Sequence, residues 1–116
     1  MNINDQAMNA LHHALQGLSE RADVRAHNVS NVNTPGFRAQ RVDFESNLRA
    51  AIEQGALESA AAPVHSVDPN LPGPNGNTAS LEGEMTGMMK DNLTRDAVVN
   101  AFNWKAGLYR SAITSR

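Results

Sequence analysis

The sequence predicts a mainly α fold. A long N-terminal and a long C-terminal helix are expected to pack as an antiparallel α-hairpin or coiled coil, around an irregular middle segment with a possible short strand or helix. Three observations predict it. Apolar residues step by three and four through both ends of the chain; the stretch NVSNVNTPGF halts the first series; and residues 60–77 hold four of the five prolines. The expected divisions are residues 1–33, 34–79 and 80–116, in one structural domain.

In the first helix the series runs Met8, Leu11, Leu15, Leu18, Ala22, Val29 and Val32, and Arg25 breaks it. That spacing lays one apolar stripe along a helix and approximates a heptad seam. Asp5 near its start suits the positive end of the helix dipole. Arg25 is expected to carry its head out to water.

Pro35 disfavours the α region for Thr34 and prevents simple continuation of the helix. Gly36 accepts the positive φ of the third position of a type II turn. The asparagines before it can cap carbonyls left free at the helix end. The turn is expected to aim Phe37 away from the helix axis and to send residues 38–45 along a neighbouring subunit.

Arg41-Val42-Asp43-Phe44-Glu45 alternates polar and apolar, a short-strand pattern, while Phe44, Leu48, Ala51 and Ile52 have helical spacing to about Gln54. Strand and helix both stay open there. The stretch PNLPGPNGN reads as part of a mobile or extended loop.

In the last helix Ser80 is the expected N-cap, with Glu82 and Glu84 at the positive dipole end. Leu81, Met85, Met88, Val99, Phe102, Ala106, Tyr109 and Ile113 continue the three-four spacing, interrupted by Asn92 and Arg95. Those two either set the register of the seam or mark a rotation of its face. The expected seam therefore takes Leu11, Leu15 and Leu18 from one helix, and Met85, Met88, Val99, Phe102 and Tyr109 from the other.

Composition narrows function. Aromatic residues make up 4% of the chain, so a dense private core is not expected and flanking residues such as Val24, Leu93 and Val98 are left for other copies or partners. A net charge of −2 gives no strong field for nucleic acid. Without cysteine there is no disulfide framework and no thiolate metal site. The polar N-terminus has no basic stretch followed by an apolar one, so no cleavable signal peptide is expected. Asp43 and Glu45 would share a face if extended, the one carboxylate pair that could serve wall cleavage, but nothing places them across a sugar. His12 and His13 point to different sides of a helix, and His13 and His27 lie about 21 Å apart along its axis. No catalytic residue, metal site, cofactor or small-molecule substrate is expected. A helical adaptor with an exposed groove would share the stripes but would not need the Thr-Pro-Gly-Phe turn.

Residues 26–37, AHNVSNVNTPGF, resemble the A-N-N-I-A-N-x-x-T-P-G-[FY] signature of the bacterial flagellar rod and hook (axial) family. Asn28, Asn31, Thr34, Pro35, Gly36 and Phe37 match; His27 and Ser30 depart from the usual Asn and Ala. Val42-Asp43-Phe44-Glu45 followed by Leu48 resembles the D-F-E-x-x-L segment of a proximal-rod member. Asn75-Gly76-Asn77-Thr78 resembles that member's D-G-N-T-V, with Ala79 and Ser80 in place of Val and Asp. Distal rod and hook members carry a large inserted domain for which this chain has no room. The resemblance implies a structural subunit of the proximal rod of the basal body, transmitting torque across the periplasm. It also implies type III export without a cleaved signal. Its partners would be other copies of the chain, other rod subunits, the rod-base adaptor and the export gate. The six matching residues would form an assembly turn.

Overall fold

The computed structural model describes residues 3–57 and 62–114. Along the chain run α1 (Ile3–Ser30), β1 (Gln40–Asp43), α2 (Glu45–Gln54), β2 (Val64–Val67) and α3 (Leu81–Thr114). The two long helices lie antiparallel: Leu18 is bonded to Arg95, Arg25 to Asp91 and Asn28 to Glu84, so positions fall along α3 as they rise along α1. The molecule is a slab of 66 × 26 × 14 Å.

α1 ends three residues before the expected position 33. Asn31, Val32 and Asn33 form turns after it, and Pro35 prevents resumption. Ser80 caps α3 as expected, its hydroxyl accepting the Gly83 N–H at 3.2 Å.

Both readings of residues 41–54 are realised in succession. Gln40–Asp43 is a strand, and α2 begins two residues later. Asp43 makes the junction: its carboxylate accepts the Ser46 N–H at 3.3 Å and the Ser46 hydroxyl at 3.0 Å, which starts the helix. α2 closes at Gly55, in the left-handed conformation.

The loop expected from residue 60 onward needs correction. Residues 60 and 61 lie outside the described residues, but Val64–Val67 is a strand, antiparallel to β1 with Gln40 opposite Val67 and Asp43 opposite Val64. Further on, Gly73 N–H bonds the Asn77 carbonyl at 2.9 Å and Gly76 N–H bonds that of Gly73 at 2.9 Å. The segment is folded because its partners come from elsewhere in the chain, which local pattern does not reveal.

The core sits under this middle segment. Among the described residues the buried apolar side chains are Leu18, Ala39, Val42, Phe44, Ala51 and Leu57. All of these but Leu18 come from residues 34–79. Phe44 lies flat on α1 over Gly17, where a Cβ would fall 2.2 Å from its ring. The Arg21 guanidinium covers the same ring at 4.7 Å from its centroid. Burying such a ring stabilises by roughly 1.5–3 kcal/mol, which makes Phe44 the main anchor of α2 and the sheet.

Candidate functional site

The Asn-rich turn and the Asn75–Thr78 segment, about 40 residues apart in sequence, form one structure. Thr34-Pro35-Gly36-Phe37 is a turn closed by Phe37 N–H to the Thr34 carbonyl at 3.2 Å, with Gly36 at φ 73°. That is the expected type II geometry. Asn77 then reaches across: its side-chain nitrogen lies 2.8, 3.1 and 2.7 Å from the carbonyl oxygens of Asn31, Val32 and Thr34. Gly36 N–H donates to the Asn75 carbonyl at 2.9 Å, and Thr78 N–H to the Phe37 carbonyl at 3.0 Å. The Thr78 hydroxyl accepts the Ala39 N–H at 2.8 Å. Within the turn itself Asn31 donates to the His27 carbonyl at 2.9 Å and accepts from Thr34 Oγ1 at 3.1 Å. The capping expected of the local asparagines is thus shared with a distant one.

Asn28 has another task. It is fully buried, and its amide treats Gln40 as a neighbouring strand would: Oδ1 accepts the Gln40 N–H at 3.0 Å and Nδ2 donates to the Gln40 carbonyl at 2.8 Å. Nδ2 also donates to the buried Glu84 at 3.2 Å. One side chain of α1 therefore ties β1 and α3 together.

One expectation about this region is overturned. Phe37 turns back onto the helix, its ring edge-on to His27 at 5.6 Å between centroids. Residues 38–45 return along α1 of the same chain, where Asn28 and Arg21 bond the backbone of Gln40 and Val42. Asn33, Thr34, Pro35 and Gly36 stay exposed at the tip.

The helix–helix contact is polar where the heptad reading saw interruptions. Arg25 does not carry its head to water. Its Nε donates to Asp91 at 2.7 Å and one terminal nitrogen lies 3.5 Å from Glu84. The guanidinium rests on the α3 backbone at Gly87, where a Cβ would lie 2.3 Å from it. Arg21 bonds Asp91 at 3.3 Å, Glu45, and the Val42 carbonyl at 2.9 Å. Arg95 donates to the Leu18 carbonyl at 3.3 Å. Burial disfavours the charge on Arg21, but Glu45 and Asp91 outweigh it and hold its pKa above the ordinary arginine value.

Of the seam residues, Leu18 is buried. Leu11, Leu15, Met88, Phe102 and Tyr109 are half-buried, and Met85 and Val99 stand 54% and 38% exposed. The Tyr109 hydroxyl is buried without a partner among the described residues. Away from α1, Met85, Met89, Leu93, Trp104 and Leu108 form an exposed apolar stripe along α3.

Asp43 and Glu45 serve the fold. Hydrogen bonds from the Ser46 backbone and side chain hold Asp43 below the usual carboxylate range. Burial pushes Glu45 up, but the bond from Arg21 prevails and holds it low as well. A general acid needs the opposite shift. Among the described residues no group of three His, Cys, Asp or Glu side chains is placed to hold a metal ion. Among them, too, no helix is long and apolar enough to cross a membrane.

The chain is an elongated α-hairpin with its turn locked to a distant loop and apolar residues exposed along one helix. No family model matches the chain. It is 30% identical over 109 residues to the flagellar basal body rod protein FlgB of Yersinia enterocolitica, covering 77% of this chain and 80% of that one. To the FlgB of Escherichia coli K12 it is 25% identical over 119 residues, covering 85% and 86%. To that of Borrelia hermsii it is 42% identical over 52 residues, covering 45% and 38%. The chain belongs to the FlgB family of flagellar basal body rod proteins.

Proposed function

We propose that the chain is a structural subunit of the flagellar basal body rod, sited in its proximal part, where it passes torque across the periplasm without catalysing a reaction. The observation that carries this reading is the apolar stripe of α3. Large exposed apolar patches mark contacts with other proteins, and Met85, Met89 and Leu93 toward one end and Trp104 and Leu108 toward the other stand exposed on this side of α3. The polar fastening of α1 to α3 leaves this stripe free for neighbours, and the exposed tip at residues 33–36 offers them a second surface. Its partners on this reading are other copies, other rod subunits, the adaptor at the rod base and the export gate. The chain reaches the rod through the type III apparatus without a cleaved signal. Neither nucleic acid nor a small-molecule substrate has a part.

Cryo-EM of isolated basal bodies tests the reading: density fitting this hairpin should lie in the proximal rod. Leu93→Asp should stop rod growth while the purified variant keeps the helicity of the parent, since Leu93 is exposed in the single chain. Density elsewhere, or normal rods in the variant, would overturn it.

A further inference from the structure

The two-stranded sheet has two outer edges, and they are treated differently. Asp68 N–H bonds the Ala39 carbonyl at 2.8 Å. With Gln40 opposite Val67, the alternation of an antiparallel ladder makes Ala39–Asp68, Arg41–Ser66 and Asp43–Val64 the hydrogen-bonded pairs. The backbone groups of Gln40 and Val42 therefore face away from β2. That is where Asn28 takes both polar groups of Gln40 and Arg21 takes the Val42 carbonyl. The outer edge of β1 is closed by side chains.

The same alternation turns the N–H and C=O of His65 and Val67 away from β1. Among the described residues no hydrogen bond reaches these four groups. All of β2 is exposed, Val64 at 52% and Val67 at 53%. Edge strands usually carry a charge, a proline or a bulge against pairing, or are kept very short, as β2 is with four residues. Here the strand Val-His-Ser-Val carries no carboxylate, lysine or arginine, and Pro63 and Pro69 stand outside it.

We propose that this edge takes β2 of a second copy, joining two sheets into one four-stranded antiparallel sheet about a two-fold axis. The spacing of the open groups selects the register. His65 of one copy pairs with Val67 of the other, and the reverse, which satisfies all the outward groups of both strands. Ser66 then faces Ser66 of the other copy in a non-hydrogen-bonded pair. Nothing of like charge meets across the axis within the strand, because Val64 falls opposite Asp68. His65 stays within 3.1 Å of Glu20 on the face toward α1, leaving its backbone free. The two β1 strands would stand about 14 Å apart, three strand spacings, which leaves room for two helices side by side. A two-fold pair closes on itself and cannot extend a polar lattice. It is therefore a state of the chain outside any filament, independent of the rod reading.

The absence of cysteine gives a clean test. Purified full-length Ser66→Cys is oxidised gently, beside Asp23→Cys on an exposed face of α1. Opposed Cα atoms in such a pair lie ~4.5 Å apart, within disulfide range. The Ser66→Cys chain should form covalent dimers far faster than the Asp23→Cys control. Val67→Pro removes an N–H that points outward and spares the ladder to β1. It should weaken the sedimentation dimer of the cysteine-free chain by roughly 30-fold or more while the circular dichroism spectrum is unchanged. Cross-linking of Ser66→Cys no faster than the control overturns the proposal. So does a folded Val67→Pro variant that dimerises like the parent, which would move the contact to the α3 stripe. If Val67→Pro fails to fold, the cross-linking rate of Ser66→Cys decides alone.

Discussion

Gly36 and Gly76 meet back to back: a Cβ on Gly76 would stand 3.4 Å from the Cα of Gly36 and 3.6 Å from its nitrogen. Both have positive φ, 73° and 79°. Gly76→Val is therefore strained, with its Cβ in van der Waals contact with Gly36 and two methyls reaching beyond it, whereas Gly36→Val is strained with nothing within 4 Å of its Cβ. The strain alone costs about 1–3 kcal/mol in each. Gly76→Val should lose more stability than Gly36→Val in urea titrations; equal losses would show that the two turns are not in contact.

Replacing Asn28 by Ala removes its bonds to Gln40 and Glu84 and strands the polar groups of Gln40. The expected loss is about 2–4 kcal/mol in thermal unfolding. Asn28→Asp keeps an acceptor for the Gln40 N–H but loses both donor bonds and sets a carboxylate beside Glu84. It should be no more stable than Asn28→Ala. An Asp variant matching the parent would mean that the amide does not bridge the strand and α3.

The Arg25–Asp91 pair is partly buried, with 24% and 14% of the side chains exposed. A double-mutant cycle of Arg25→Gln and Asp91→Asn should give a coupling of about 0.5–1.5 kcal/mol at low salt, shrinking at high salt. A coupling of zero at low salt would make the clasp ornamental and leave the hairpin to its apolar contacts.

The fold should weaken in acid. Asp43 and Glu45 are held below their ordinary carboxylate values, so their contribution is complete above the unfolded pKa of ~4 and is lost as pH falls through the lower folded values. Asp43→Asn should flatten this slope below pH ~4, read as the urea midpoint against pH. An unchanged slope would assign the acid sensitivity to other carboxylates.

The paired terminal helices were legible because three-four spacing is local. Ser80 as a cap and Gly36 in a turn were legible for the same reason, each resting on its own φ or hydroxyl. β2 was not. Val64–Val67 buries nothing and follows a proline, so its only signal is the complementarity of β1, far back along the chain. The polar clasp was hidden differently. Heptad arithmetic counts Arg25 as a defect and Glu84 as a dipole partner, although each is the other's neighbour across the hairpin. Phe44 was seen as an apolar position, but Gly17, which makes room for its ring, carried no sign of that role.

The reach of Asn77 sets an order on how the chain becomes complete. The last carbonyls after α1 wait for a side chain 43 to 46 residues downstream, and Arg21 and Arg25 wait for Asp91. A chain emerging N-terminus first, from a ribosome or any narrow conduit, has its first helix formed but unfinished until the final third is out. Truncation before Asp91 removes its bonds to both arginines, and truncation before Asn77 also leaves the carbonyls of Asn31, Val32 and Thr34 without its side chain.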